Sequence, residues 1–171
     1  MLIFLTGFMG AGKTTAGKKV AALLNYTFID LDALIEKETG KTISELFSIS
    51  ESHFRDIESK ILVKTADAKN AVIATGGGTP CFKDNMKWMN EHGVTVYIKL
   101  AAGSLFHRLA ASKKDRPLLQ KKGDVALMEY IMETLRYREV YYSQSKYTIK
   151  GEDLKPDALV KLLLEGEAQL K

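Results

Sequence analysis

The segment Gly7-Phe-Met-Gly-Ala-Gly12-Lys13-Thr14 places three glycines ahead of a lysine and a hydroxyl, in the spacing G-x-x-x-x-G-K-[ST]. Glycine lets a backbone curl around an anion without Cβ clashes. Successive N–H groups then point inward, and the N-terminus of a following helix adds positive potential. Lys13 can reach the β- and γ-phosphates of a nucleoside triphosphate, and the Thr14 hydroxyl can ligate Mg²⁺. The expected ligand is a nucleoside triphosphate with Mg²⁺, held by Gly10, Ala11, Gly12, Lys13, Thr14 and Thr15. An incidental glycine-rich turn is the alternative, and the apolar run Leu2–Leu5 before the motif and the helical pattern after it argue against that.

Asp30-Leu31-Asp32 follows a second short apolar run. Alternation along an extended segment would put both carboxylates on one side. One of them can hold Mg²⁺ through water and the other can orient and deprotonate an attacking hydroxyl. The competing role for Asp32 is as a helix N-cap. Gly76-Gly77-Gly78 follows a third run, Ala71–Ala74. Three glycines permit unusual backbone angles and the close approach of a ligand, which suits a wall of an acceptor pocket. In the stretch Asp124–Tyr142, the positions Met128, Ile131, Leu135, Arg138 and Tyr142 form one helical stripe. Arg138 stands there where an apolar residue is expected, and a guanidinium so placed needs a partner. The spacing therefore points to Arg138, and not its off-stripe neighbour Arg136, as an anion clamp, with an internal ion pair as the alternative. Arg55 can pair locally with Glu58 at i+3, the plainer reading of that spacing. Arg116-Pro117 lies in a basic segment, where an arginine can close over a triphosphate and neutralise charge in the transition state.

These residues need elements to hold them. The spacing predicts strands at Leu2–Leu5, Thr27–Ile29, Ala71–Ala74, Val94–Leu100 and Tyr147–Ile149. It predicts helices over Lys13–Leu24, Asp32–Thr39, a capped segment from Thr42, Glu51–Ala68, Leu105–Ala111, Asp124–Tyr142 and from Pro156 onward. Strands alternating with helices imply an α/β fold, three αβα layers around a short, mostly parallel five-stranded sheet. At 171 residues the chain suits one domain. Ligands of such sheets bind beyond the carboxyl ends of the strands, where Thr6-Gly7, Asp30, Gly76 and the segment after Leu100 all fall.

A net charge of +4 suits anionic ligands, and the basic residues are scattered, without the aromatic-interleaved surface that a nucleic-acid partner would use. A single cysteine, Cys81, allows no internal disulfide and is read as a bystander. His53, His92 and His107 lack the spacing of metal ligands. No basic-then-apolar leader and no apolar run long enough for a membrane span is present, which points to the cytoplasm.

In order along the chain, Gly-Phe-Met-Gly-Ala-Gly-Lys-Thr, Phe28-Ile-Asp-Leu-Asp32, Phe54-Arg-Asp-Ile-Glu58, Ala74-Thr-Gly-Gly-Gly78, Arg116-Pro-Leu-Leu119 and Arg138-Glu-Val-Tyr-Tyr142 resemble the shikimate kinases, P-loop kinases of the nucleoside-monophosphate-kinase-like group. The resemblance covers essentially the whole chain. It implies a P-loop NTPase fold with a mobile lid at about 112–123 and an acceptor-binding segment at about 31–62. It implies ATP-dependent phosphorylation of the 3-hydroxyl of shikimate, toward chorismate and the aromatic amino acids. Carried over residue by residue, Asp32 meets the shikimate hydroxyls and acts as base, and Arg55 and Arg138 grip the carboxylate. Gly76, Gly77 and Gly78 line the pocket, Thr14 and Asp30 serve Mg²⁺, and Lys13 and Arg116 serve the phosphates. For Arg55 this displaces the local pairing with Glu58. Two departures stand out. The stretch Ile49–His53 lacks the glycine and acidic residue the family often has there, and the family's basic residue beside adenine has no clear counterpart, Lys155 being the nearest guess. The expected partners are shikimate and ATP, with no nucleic acid and no membrane, and the expected state is a monomer. Two other readings stay open: a kinase for another small polyol or nucleotide, and a nucleotide-binding module without catalysis.

Overall fold

In the computed structural model, which describes residues 1–112 and 123–168, five parallel strands form one sheet. They are β1 (Leu2–Thr6), β2 (Thr27–Asp30), β3 (Ala71–Ala74), β4 (Val94–Lys99) and β5 (Tyr147–Lys150), in the order β2-β3-β1-β4-β5. Side chains alternate across the central strand. Leu2 and Phe4 of β1 join one core, while Ile3 and Leu5 join the other. Both faces are therefore covered, as a parallel sheet requires, and β1, β3 and most of β4 are buried.

One core packs under α1 (Lys13–Leu24), α6 (Ala102–Ala110), the first half of α7 (Asp124–Tyr142) and α8 (Pro156–Ala168). The other packs under α2 (Leu31–Thr39), α3 (Ile43–Ile49), α4 (Glu51–Lys64) and α5 (Asn85–His92). The three layers, the parallel sheet and all five strands agree with the sequence pattern. At the start of α3, the Thr42 hydroxyl accepts from Glu45 N while the Glu45 carboxylate accepts from Thr42 N, the reciprocal cap that the spacing announces.

Three expectations need correction. The pattern over Glu51–Ala68 is a helix to Lys64, followed by a single tighter turn at Thr65–Asp67. Helix α5 has no counterpart in the sequence prediction. It carries only Met86 and Met89 as buried apolar anchors on an otherwise polar segment, too thin a stripe to register as periodic. Lastly, Asp30 and Asp32 do not share an extended segment, because helix α2 begins at Leu31. Asp30 is the N-cap, with its Oδ1 accepting from Ala33 N at 3.4 Å, so the capping role weighed for Asp32 belongs to its neighbour.

Candidate active site

Strand β1 ends in the middle of the sheet and runs straight into the glycine-rich loop. Gly7, Gly10 and Gly12 have φ of 134°, 81° and 98°, conformations that side chains with a Cβ rarely adopt. Gly12 is also the N-cap of α1 and offers no side-chain acceptor, so the first N–H groups of that helix are left to an incoming anion. Lys13 is buried and curls back over the loop, its Nζ donating to the carbonyls of Gly7 at 2.7 Å and Phe8 at 3.0 Å. An ammonium held at the mouth of a ring of N–H groups is set for a polyphosphate. Thr14 and Thr15 stand exposed on the first turn. The Arg108 guanidinium supports the loop from behind, donating to Ala11 O at 3.2 Å and to Gly151 O at 3.1 Å.

The Thr14 hydroxyl donates to Asp30 Oδ2 at 2.9 Å. This pairs two hard oxygen donors at the edge of the phosphate loop. Two protein oxygens are what Mg²⁺ takes when phosphates and waters complete its octahedron, so the donor set fits Mg²⁺ delivered with a triphosphate and not a cage made by protein alone.

Beyond the end of β3 lies the acceptor side. A Cβ placed on Gly76 would come within 2.9 Å of Thr79 Oγ1, 3.0 Å of Glu58 Oε1 and 3.1 Å of Asp32 Oδ1, so bare backbone is required there. None of the three glycines has a positive φ. Of the two reasons for a glycine triplet, only close approach operates, and the approaching groups are the protein's own charged side chains. Desolvation, then the carboxylates of Glu58 and Asp30, push the Asp32 carboxyl up to about 6, with Lys13 pulling the other way. Because Asp32 remains exposed in the cleft, its carboxylate neighbours are a firmer cause of that rise than burial is.

Arg55 projects from α4 into a socket of three aromatic rings, its Cζ lying 4.2 Å from the Phe82 centroid, 5.1 Å from Phe54 and 5.3 Å from Phe47. Its Nη1 donates to Glu58 Oε2 at 2.8 Å and its Nη2 to Glu51 Oε1 at 3.3 Å. The local pair foreseen from the i+3 spacing is therefore present. The same guanidinium abuts Gly78, where a Cβ would sit 2.5 Å from Nη2, and its buried Nε has no hydrogen-bond partner among the described residues. Pairing with Glu58 and facing the pocket are thus not alternatives. Glu58 is itself buried, with Thr79 Oγ1 donating to its other oxygen at 2.6 Å.

Arg138 is partly buried while Arg136 is exposed, as the stripe requires. Among the described residues no carboxylate forms an ion pair with Arg138. It lies over the Phe8 ring at 5.6 Å, and its Nη1 would be 3.0 Å from a Cβ on Gly77. That same Cβ would be 3.2 Å from Met9 N in the phosphate loop, so Gly77 is a wall common to both halves of the cleft. Arg116 lies outside the described residues.

Sequence reasoning missed Glu58 as a member of the site, and with it Thr79 and Arg108. The Arg55-to-Glu58 spacing held the signal for the first, but it was read as an alternative to binding. Arg108 gives no local signal, because its partners are backbone carbonyls distant in sequence. Lys155 sits in the loop after β5, beside Leu154 and Ile149. Burial pushes the Cys81 thiol up to about 11, which suits a bystander. No helix among the described residues is long and apolar enough to cross a membrane.

The family model for shikimate kinase matches residues 9–166. A shikimate kinase of Bacteroides thetaiotaomicron is 48% identical over 153 residues, covering 89% of this chain and 87% of that protein. One from Thermodesulfovibrio yellowstonii is 40% identical over 98% of this chain and 95% of its own. The crystal structure of shikimate kinase from Bacteroides thetaiotaomicron superposes with a TM-score of 0.92 at 44% identity, over 98% of both chains. Shikimate kinase from Acinetobacter baumannii in complex with shikimate gives a TM-score of 0.85 at 32% identity, over 99% of this chain and 94% of that one. A gluconokinase from Sinorhizobium meliloti, at 18% identity and a TM-score of 0.55, shares the fold alone.

Proposed function

The chain belongs to the shikimate kinase family, and on that premise we propose how its residues divide the reaction between them. The enzyme transfers the γ-phosphoryl group of ATP to the 3-hydroxyl of shikimate, giving shikimate 3-phosphate and ADP in the route to chorismate and the aromatic amino acids. One observation carries the division of roles: the space that a Cβ on Gly77 would fill lies 3.0 Å from Arg138 Nη1 and 3.2 Å from Met9 N, so Arg138 and the phosphate loop meet at that one position. An acid gripped at Arg138 thereby has its hydroxyls against the γ-phosphate.

Phosphoryl transfer asks for positioning and charge stabilisation more than for covalent catalysis. Arg55 and Arg138 hold the shikimate carboxylate, and Gly76, Gly77 and Gly78 form the wall beside it. Asp32 orients the 3-hydroxyl and takes its proton as the oxygen attacks phosphorus, while the bond to the ADP oxygen breaks. The N–H groups of Gly10, Ala11 and Gly12 and the first turn at Thr14 and Thr15 cradle the phosphates, and Lys13 neutralises charge as it moves to the leaving oxygen. Thr14 and Asp30 would hold Mg²⁺, which would supply positive charge to offset that of the phosphates. The warrant for Arg116 as a phosphate ligand, and for the lid at about 112–123, is the motif Arg116-Pro-Leu-Leu119. The whole chain acts as one catalytic unit, with the segment at about 31–62 serving the acceptor. It acts as a cytoplasmic monomer on small molecules, with neither nucleic acid nor membrane as partner.

A coupled ADP-release assay with shikimate and Mg-ATP tests this reading. We expect turnover that depends on both substrates and fails with gluconate or nucleoside monophosphates. Folded protein that binds ATP but releases no ADP with shikimate would overturn it.

A further inference from the structure

The last turn of α7 carries three side chains that point to three different places, and only Arg138 has so far been given a task. Tyr142 is fully buried at the end of the helix, one turn beyond Arg138. Its hydroxyl donates to the carbonyl of Gly77 at 2.5 Å and faces the Arg138 guanidinium. Burial pushes that phenol well above its ordinary pKa, so it remains a neutral O–H donor. Glu139 turns the other way. It accepts from the Tyr97 hydroxyl at 2.6 Å and from Lys99 Nζ at 2.5 Å, both on β4 next to the strand that feeds the phosphate loop. The rings of Tyr97 and Tyr142 close the circuit, with centroids 5.0 Å apart.

We infer that Tyr142 and Glu139 are positioning residues of the acceptor site: Tyr142 fixes the Gly77 wall that Arg138 lies against by bonding to its carbonyl, and Glu139 fixes the roll of α7 that turns Arg138 inward. The inference rests on the acceptor role assigned to Arg138. Its physical basis is that, among the described residues, Arg138 has no paired carboxylate of the kind that orients Arg55, and the phenol and the Phe8 face are the groups that lie against it. A guanidinium that loses one of these contacts samples more orientations, and binding then carries a larger ordering cost. That cost falls on shikimate and not on ATP.

The test is the Tyr142→Phe enzyme, which keeps the ring and loses the hydroxyl. The KM for shikimate is expected to rise up to about tenfold, the scale of a lost buried hydrogen bond, with the KM for ATP unchanged within a factor of two. In an Arg138→Ala background the same change should add nothing further to the shikimate KM, whereas in an Arg136→Ala background its full effect should persist. A Tyr142→Phe enzyme with both KM values unchanged, or with both raised equally, overturns the inference, as does full additivity with Arg138→Ala. Should Phe at position 142 prevent folding, Glu139→Gln is read in the same way. If the wild-type enzyme measured alongside shows no dependence on shikimate, it is the proposed function that fails, and the two failures are thereby told apart.

Discussion

Asp32 shows how a residue's surroundings set its chemistry. Its carboxyl is held at about 6, against an ordinary 3.8. Because the folded pKa lies above the unfolded one, ionised Asp32 costs stability. That cost grows as pH rises from 3.8 and is complete above about 6. Asp32→Asn removes it, so the variant should melt higher than wild type at pH 7 by on the order of 1 kcal/mol, a figure discounted for the solvent that reaches the cleft, and should show no such gain at pH 4. The same variant should lose about a hundredfold or more in kcat, the scale of a general base. Thermal melts at the two pH values and a rate assay check both halves, and an active, unstabilised variant would remove Asp32 from its role. Much of the residue scale was legible. The phosphate loop, Arg138 against Arg136 and the Arg55-to-Glu58 pair are all consequences of spacing within one element. The crowding of Asp32 by Glu58 and the bonding of Arg108 to Ala11 and Gly151 arise between elements, and no local pattern carries them.

At the scale of elements, helices were placed where a stripe or a cap announced them. Helix α1 and helix α7 fall within the predicted limits, whereas α5, with two methionines as anchors, went unseen. The capping box of α3 has a measurable consequence. Helix α3 spans Ile43–Ile49 and is too short to persist alone; Phe47 stacks on Phe54 at 4.3 Å and so floors the aromatic socket of Arg55. Thr42→Ala is expected to lower stability by about 1 kcal/mol, the usual cost of losing such a cap. The rise in shikimate KM should be modest and kcat should be kept. Denaturant unfolding and steady-state kinetics measure the two effects, and an unchanged stability would mean that Leu46 and Phe47 hold the helix without the cap.

At the scale of the molecule, the strand order puts the ends of β2, β3 and β1 side by side on one edge. The metal pair, the glycine wall and the phosphate loop therefore arrive together from segments far apart in sequence. The alternation of strand and helix foretold the layers and the common edge, but not which strand is central. Since ligands bind the folded cleft and not the unfolded chain, they should stabilise the whole fold. With Mg-ATP at about a hundred times its Kd the gain is about 2.7 kcal/mol, a rise in Tm of roughly 5–10 °C for a chain of this size. Chelating the metal should remove part of that gain. Melts with ATP, with and without EDTA, measure it, and an equal gain in both would exclude Thr14 and Asp30 as metal ligands.

The wall at Gly77 has a further consequence, for resistance to inhibitors. A compound joining a carboxylate held at Arg138 to a phosphate mimic in the loop would cross bare backbone at that point. Escape variants usually enlarge a contacting side chain. Here any added Cβ lies 3.0 Å from Arg138 Nη1 and 3.2 Å from Met9 N, so a substitution that obstructs the compound also presses on the arginine and the loop that the natural substrates need. Little mutational room is left at this position for evading such a compound while keeping the enzyme alive.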